Sequence, residues 1–105
     1  MVNRGQIWTL IRGGSQYRVL IISNDEYNGV AEMAIWALVV ARDVPHASQL
    51  AVRLGPGDPL AGAYVKIHGV VQVLDRSAFR ENHGYVTDST MNAIEEGIRE
   101  FLELP

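Results

Sequence analysis

The fold class this sequence predicts is mainly β: a small antiparallel sheet or partly closed barrel of about five strands, with one α-helix packed on it at the C-terminal end. Two observations carry that reading. Runs rich in Ile, Val, Trp and Tyr are separated by glycine, proline and polar clusters, as strands are by their turns. Only the segment after Val86 repeats its apolar residues at helical spacing. The length of 105 residues fits a single domain over 1–105 with a modest core, which pairing with a second copy would enlarge.

Gln6 to Arg12 reads as the first strand, since Ile7, Trp8, Leu10 and Ile11 suit a pleated surface. Gly13-Gly14-Ser15 is a tight-turn signal and Tyr17 to Ile22 a second strand, so the two form a hairpin. Ser23 to Gly29 is polar and turn-rich. Met33 to Ala41 is a continuous apolar run, in which Ile35, Trp36, Val39 and Val40 favour a strand buried on both faces over a short helix. Asp43 to Ser48, with Pro45, is a loop; Gln49 to Leu54 alternates as a fourth strand; Gly55-Pro56-Gly57-Asp58-Pro59 is a loop again. Ala63 to Ile67 and Val70 to Leu74 are one bent strand or two short ones, with Gly69 at a bulge or kink. Asp75 to Phe79 suits one helical turn. In the last segment Thr87 or Asp88 can cap a helix. Met91, Ile94, Ile98, Phe101 and Leu102 share one of its faces, and Glu95, Glu96, Arg99, Glu100 and Glu103 the other. Gly97 inside that helix costs about 1 kcal/mol against alanine, which a close helix-to-sheet contact offsets.

The absence of cysteine excludes disulfide frameworks and cysteine-ligated metals. The polar opening (Asn3, Arg4) is unlike a signal peptide, and the apolar run from Met33 to Ala41 is too short to cross a bilayer. A soluble, cytoplasmic protein without membrane contact is expected. The formal charge is −3, but from Asp88 onward there are five acids and one base, so residues 1–87, with seven acids and eight bases, are nearly neutral. That permits RNA binding in a local groove, although no dense basic patch is visible.

The opening carries a more specific pattern. Arg4-Gly5-Gln6-Ile7-Trp8 is followed by Arg18-Val19-Leu20-Ile21-Ile22-Ser23-Asn24-Asp25 and Asn28. Val86-Thr87-Asp88, with Met91, Ile94 and Ile98, closes the chain. In these segments the sequence resembles the MazF/PemK toxins of type II toxin–antitoxin systems, whose N-terminal pattern is Arg-Gly, a polar residue and an aromatic, then a strand running into Ser-Asn-Asp. The resemblance covers nearly the whole chain, strongly at both ends and weakly between Val30 and Gly62. It implies a CcdB/MazF-like, Src-homology-3-like barrel and a homodimer. It also implies metal-free cleavage of single-stranded RNA, and a cognate antitoxin that lays a disordered C-terminal segment over the groove.

Metal-free cleavage uses the ribose 2′-hydroxyl as nucleophile and leaves a cyclic phosphate and a 5′-hydroxyl. It needs a base, an acid and a cation beside the phosphate. The resemblance suggests three sources. The family's Arg and Asp, two apart on one strand, match Lys66 and His68, which share a strand face and would act as cation and acid or base. Aligning on Asp75 instead puts Ile67 and Gly69 there, and Lys66 and His68 are equally read as the solvated face of an edge strand. The family's phosphate-facing arginine matches Arg18, with Arg12 across the hairpin as the substitute. Because the proline after that arginine is missing, Arg18 lies one place nearer to Val-Leu than in the family pattern. The family's Thr at the end of the central strand is Asp43 here, and its proline is Ala41. Asp43 is read as a base or, more simply, as a turn residue. Arg42, His46 and Ser48 are candidate phosphate contacts or plain loop residues. Asn24 and Asn28 are candidate RNA contacts or organisers of a tight turn. Trp8 and Trp36 suit core or dimer packing better than base stacking, and His83 beside Gly84 is read as a surface loop residue.

The changed threonine and proline positions keep a second class open: a non-enzymatic protein of the same fold, either a CcdB-like gyrase poison or a binding domain that has lost catalysis. No cofactor is implied on either reading.

Overall fold

The computed structural model describes residues 1–44 and 50–105. Six strands form one antiparallel sheet: β1 (Gln6–Arg12), β2 (Ser15–Ile21), β3 (Ile35–Ala41), β4 (Ala51–Arg53), β5 (Tyr64–Val73) and β6 (Phe79–Tyr85). Their order in space is β4-β5-β3-β2-β1-β6. A short helix α1 (Asp25–Asn28) follows β2, a 3-10 turn (Arg76–Ala78) precedes β6, and α2 (Asp88–Leu102) closes the chain. The mainly-β class with a C-terminal helix is as expected. Among the described residues the strand count is six rather than about five, and the sheet is not closed into a barrel.

The β1–β2 hairpin forms where the glycine pair demands it. Gly13 and Gly14 have φ of 58° and 78°, and Arg12 stands opposite Ser15. A two-residue turn with both φ positive matches the twist of the flanking strands and needs glycine-like residues. The sixth strand, β6, is the element the pattern conceals. It runs Phe-Arg-Glu-Asn-His-Gly-Tyr, with only Phe79 buried, and it pairs with β1 through two register shifts. An edge strand held by backbone bonds needs no apolar alternation to form.

Because strand side chains alternate, each face of the sheet carries its own core. On one face Ile7, Leu20, Leu38, Val65 and Ile67 pack beneath Ile94 of α2. On the other, Leu10, Val19, Ile21, Ile35 and Val73 pack with Phe79, whose ring meets Trp8 edge-on. β3 contributes to both, which is why its sequence is an unbroken apolar run. β5 is one strand with an irregularity opposite Val39, where a side chain on Gly69 would press on Lys66 and Val39.

Thr87 caps α2, accepting from the Thr90 amide at 3.2 Å. Gly97 lets the helix sit on the sheet: a Cβ there would meet the Ile67 side chain at 3.1 Å. Along the face expected to be apolar, Ile94 is buried and Met91 and Ile98 are partly so, whereas Phe101 and Leu102 are exposed.

The opening Arg-Gly builds the fold. The Arg4 guanidinium donates to the Ile22 carbonyl and pairs with Glu95 of α2 at 2.6 Å, while its amide donates to Asp25. Gly5 adopts φ +90° and bonds both Ile21 and Val86 through its backbone. Farther along the chain, Arg76 donates to the carbonyls of Asn28 and Val30, covering the exit of α1.

Candidate active site

Arg18 lies on β2 directly opposite Thr9 of β1 and Val40 of β3, so the three side chains share one sheet face. Its guanidinium is exposed and borders a groove of about 510 Å³. Val40, Arg42 and Asp43 at the end of β3 share that wall, and the 60–63 segment forms the other. Two arginines facing one open groove suit an anion such as a phosphodiester.

The far wall is pinned to α2 by Asp58. Its carboxylate accepts from the Gly55 amide at 2.7 Å, the Thr87 amide at 2.7 Å and the Thr90 hydroxyl at 2.6 Å. Burial pushes this carboxyl up, but the Thr90 hydroxyl and the Thr87 and Gly55 amides outweigh it and hold it below the usual range. The wall is therefore positioned by a charge at the N-terminus of α2.

The remaining candidates divide. Arg42 and Asp43 join Arg18 at the groove. Lys66 does not: it lies on the Val39 face of the sheet, while Arg18 shares the Val40 face. His68 is exposed on the irregular part of β5. Arg12 is committed elsewhere, donating to the Gln72 carbonyl at 3.0 Å. Asn24 caps α1 through the Glu26 amide, and Asn28 is buried, donating to the Ser23 carbonyl and Asp25. Both asparagines thus organise a turn, the second of the two roles the sequence offered. His46 and Ser48 fall outside the described residues.

One residue is better placed than its sequence context suggests. His83 is not in a loop but on β6, its side chain 18% exposed, with Nε2 2.7 Å from the Thr9 hydroxyl. The available signal was Gly84, whose φ of +106° accompanies a bulge that makes His83 the extra residue opposite β1.

Residues 3–102 match the family model described as the PemK-like, MazF-like toxin of type II toxin–antitoxin systems. The chain belongs to this PemK/MazF-like toxin family. No curated protein sequence matches it significantly. Among solved structures, an endoribonuclease from a mycobacterial species in complex with its cognate antitoxin is 28% identical, with a TM-score of 0.83 over 99% of this chain and 95% of that one. A second mycobacterial endoribonuclease is 27% identical, with a TM-score of 0.84 over 99% and 93%. MazF in a MazE–MazF complex from Deinococcus radiodurans shares the fold at 18% identity, with a TM-score of 0.83 over 99% and 97%. These PemK/MazF-like relatives support the mainly-β fold and a toxin endoribonuclease in general terms. No helix among the described residues is long and apolar enough to cross a membrane.

Proposed function

We propose that this chain is the toxin of a toxin–antitoxin pair and a metal-independent endoribonuclease that cuts single-stranded RNA through the ribose 2′-hydroxyl. The observation that carries the reading is the Arg18–Arg42 groove in a chain of this family. Arg18 holds the scissile phosphate and steadies the charge that develops on it, and Arg42 takes a neighbouring phosphate. Asp43 accepts the 2′ proton. Lys66 has no part at this groove, since it lies on the opposite sheet face, and His68 is exposed on the irregular part of β5.

The antitoxin is the natural competitor for the same groove, as one endoribonuclease relative was solved with its cognate antitoxin. An acidic segment lying across Arg18 and Arg42 would exclude RNA. The toxin works as a homodimer in this reading, which provides a place for exposed Trp36 and Val70, two apolar side chains on one face of β3 and β5.

The test is incubation of purified protein with unstructured RNA in EDTA. Cleavage is expected, with loss on Arg18→Ala. Antitoxin binding without cleavage of any RNA would favour the non-enzymatic reading, which Asp43 at the family's threonine position keeps in play.

A further inference from the structure

We infer that His83 is the general acid of this site, the group that delivers a proton to the departing 5′ oxygen. The inference rests on the endoribonuclease reading above and extends it to a residue that the family resemblance does not point to.

The geometry begins at Thr9. It is almost fully buried (3% exposed) and sits in one row between Arg18 on β2 and Glu81 on β6. Directly opposed strand residues have Cβ atoms about 5 Å apart, so Arg18 and Thr9 are side-chain neighbours. On the other side, the Thr9 hydroxyl holds His83 Nε2 at 2.7 Å. His83 and Arg18 therefore flank one buried hydroxyl on one face of the sheet.

The ring is deliberately placed. His83 is the extra residue of a β-bulge, because Ile7 pairs with Gly84 and Trp8 with Asn82, and Gly84 supplies the φ of +106° beside it. Bulges of this kind re-aim a side chain. With Nε2 engaged by Thr9, Nδ1 is the nitrogen left for substrate. The Glu81 carboxylate lies 3.8 Å from Nε2 and, like Thr9, restrains the ring.

Chemistry assigns the role. Attack of the 2′ oxygen on phosphorus forms one P–O bond, and the bond to the 5′ oxygen breaks. One proton leaves the 2′-hydroxyl and one must reach the 5′ oxygen. Arginine does not give up its proton, and a carboxylate at neutral pH carries none. Of the charged and titratable groups on this row (Arg18, Glu81 and His83), the imidazole is the one whose chemistry suits both accepting and donating a proton. The base is Asp43 and the acid is His83, and before the next turnover Asp43 releases its proton to water while the imidazole regains one from it.

His83→Gln is the discriminating variant, since glutamine can keep the bond to Thr9 but cannot deliver a proton. Cleavage is measured on ordinary RNA and on RNA carrying sulfur in place of the bridging 5′ oxygen at the cleaved linkage, a leaving group that departs without protonation. The expected result is a loss of about 10²–10⁴-fold on ordinary RNA. Near wild-type cleavage of the sulfur RNA and unchanged affinity for an uncleavable 2′-deoxy strand are also expected. Cleavage of ordinary RNA within a few-fold of wild type, or an equal deficit on both RNAs, overturns the assignment. If His83→Gln does not fold, Thr9→Val carries the test: a fall confined to ordinary RNA supports the acid role, and equal falls on both overturn it. Should wild-type protein cut no RNA, the endoribonuclease reading itself falls. Should wild type cut RNA and His83→Gln cut it equally well, only the role of His83 falls.

Discussion

Arg4 and Arg18 both stand near the start of the chain, and both belong to the pattern that marks its family, yet they do different work. Arg4 is spent inside the molecule, on the Ile22 carbonyl and on Glu95 of α2. Arg18 has its guanidinium in an open groove. Arg4→Ala should therefore lower the unfolding free energy by about 1–2 kcal/mol, the scale of charge-assisted bonds lost from a partly exposed site. Arg18→Ala should change stability by no more than about 0.5 kcal/mol, while cleavage falls by at least about 10²-fold. Urea denaturation and a single-turnover cleavage assay on the same two variants check both halves. Arg18 was a candidate in the sequence because it matches the arginine that precedes Val-Leu in the family pattern. His83 was not, because its placement depends on a bulge in a polar edge strand. Lys66 was drawn toward the site by its match to the family's Arg and Asp pair and by the spacing that puts it on one strand face with His68. Spacing gives which residues share a face, not which face it is, and the register with β3 turns Lys66 away from Arg18.

The elements are joined at a few points whose chemistry can be read out. Asp58 links the groove wall to the start of α2 through three donors. Its carboxyl is held below its ordinary value of 3.8, so the ionised form is the one that the fold favours. Its stabilisation is complete above that value and is lost as the pH falls below it through the lowered folded value. Asp58→Asn should cost about 2 kcal/mol at neutral pH, since an amide nitrogen would face donors. It should also flatten the acid limb of the stability curve, as thermal melts between neutral and strongly acid pH would reveal. Gly97 is the second joint. Gly97→Val should destabilise the protein by about 1–3 kcal/mol by driving α2 off Ile67. The double variant Gly97→Ala/Ile67→Val should be more stable than the sum of its single changes, as residues in contact are coupled. This contact was legible from the glycine alone, since a helix keeps one in its interior where the backbone must come close. The helix, the hairpin and the doubly buried β3 were legible for similar reasons, because each carries a periodicity or a turn signal of its own. β6 carries neither, so the sixth strand could not be foreseen.

At the scale of the whole molecule, a chain with a net charge of −3 would bind a polyanion on a local arrangement, not on its total charge. The acids gather on α2, and Arg18 and Arg42 meet at the groove beyond the loop that α2 anchors. RNA affinity should accordingly fall steeply with salt, as phosphate contacts release counterions. The exposed pair Trp36 and Val70 is the surface on which a second copy would close. Trp36→Glu should shift the sedimenting species from twice the chain mass to a single chain. The central claim is that the Arg18 groove cuts RNA through its own 2′-hydroxyl. The most direct measurement is to incubate the purified protein with a long unstructured RNA in EDTA and determine the chemistry of the new ends. Discrete cuts are expected, with downstream fragments that carry 5′-hydroxyls and upstream fragments that end in a cyclic phosphate. Intact RNA, or fragments that begin with a 5′-phosphate, would contradict the claim.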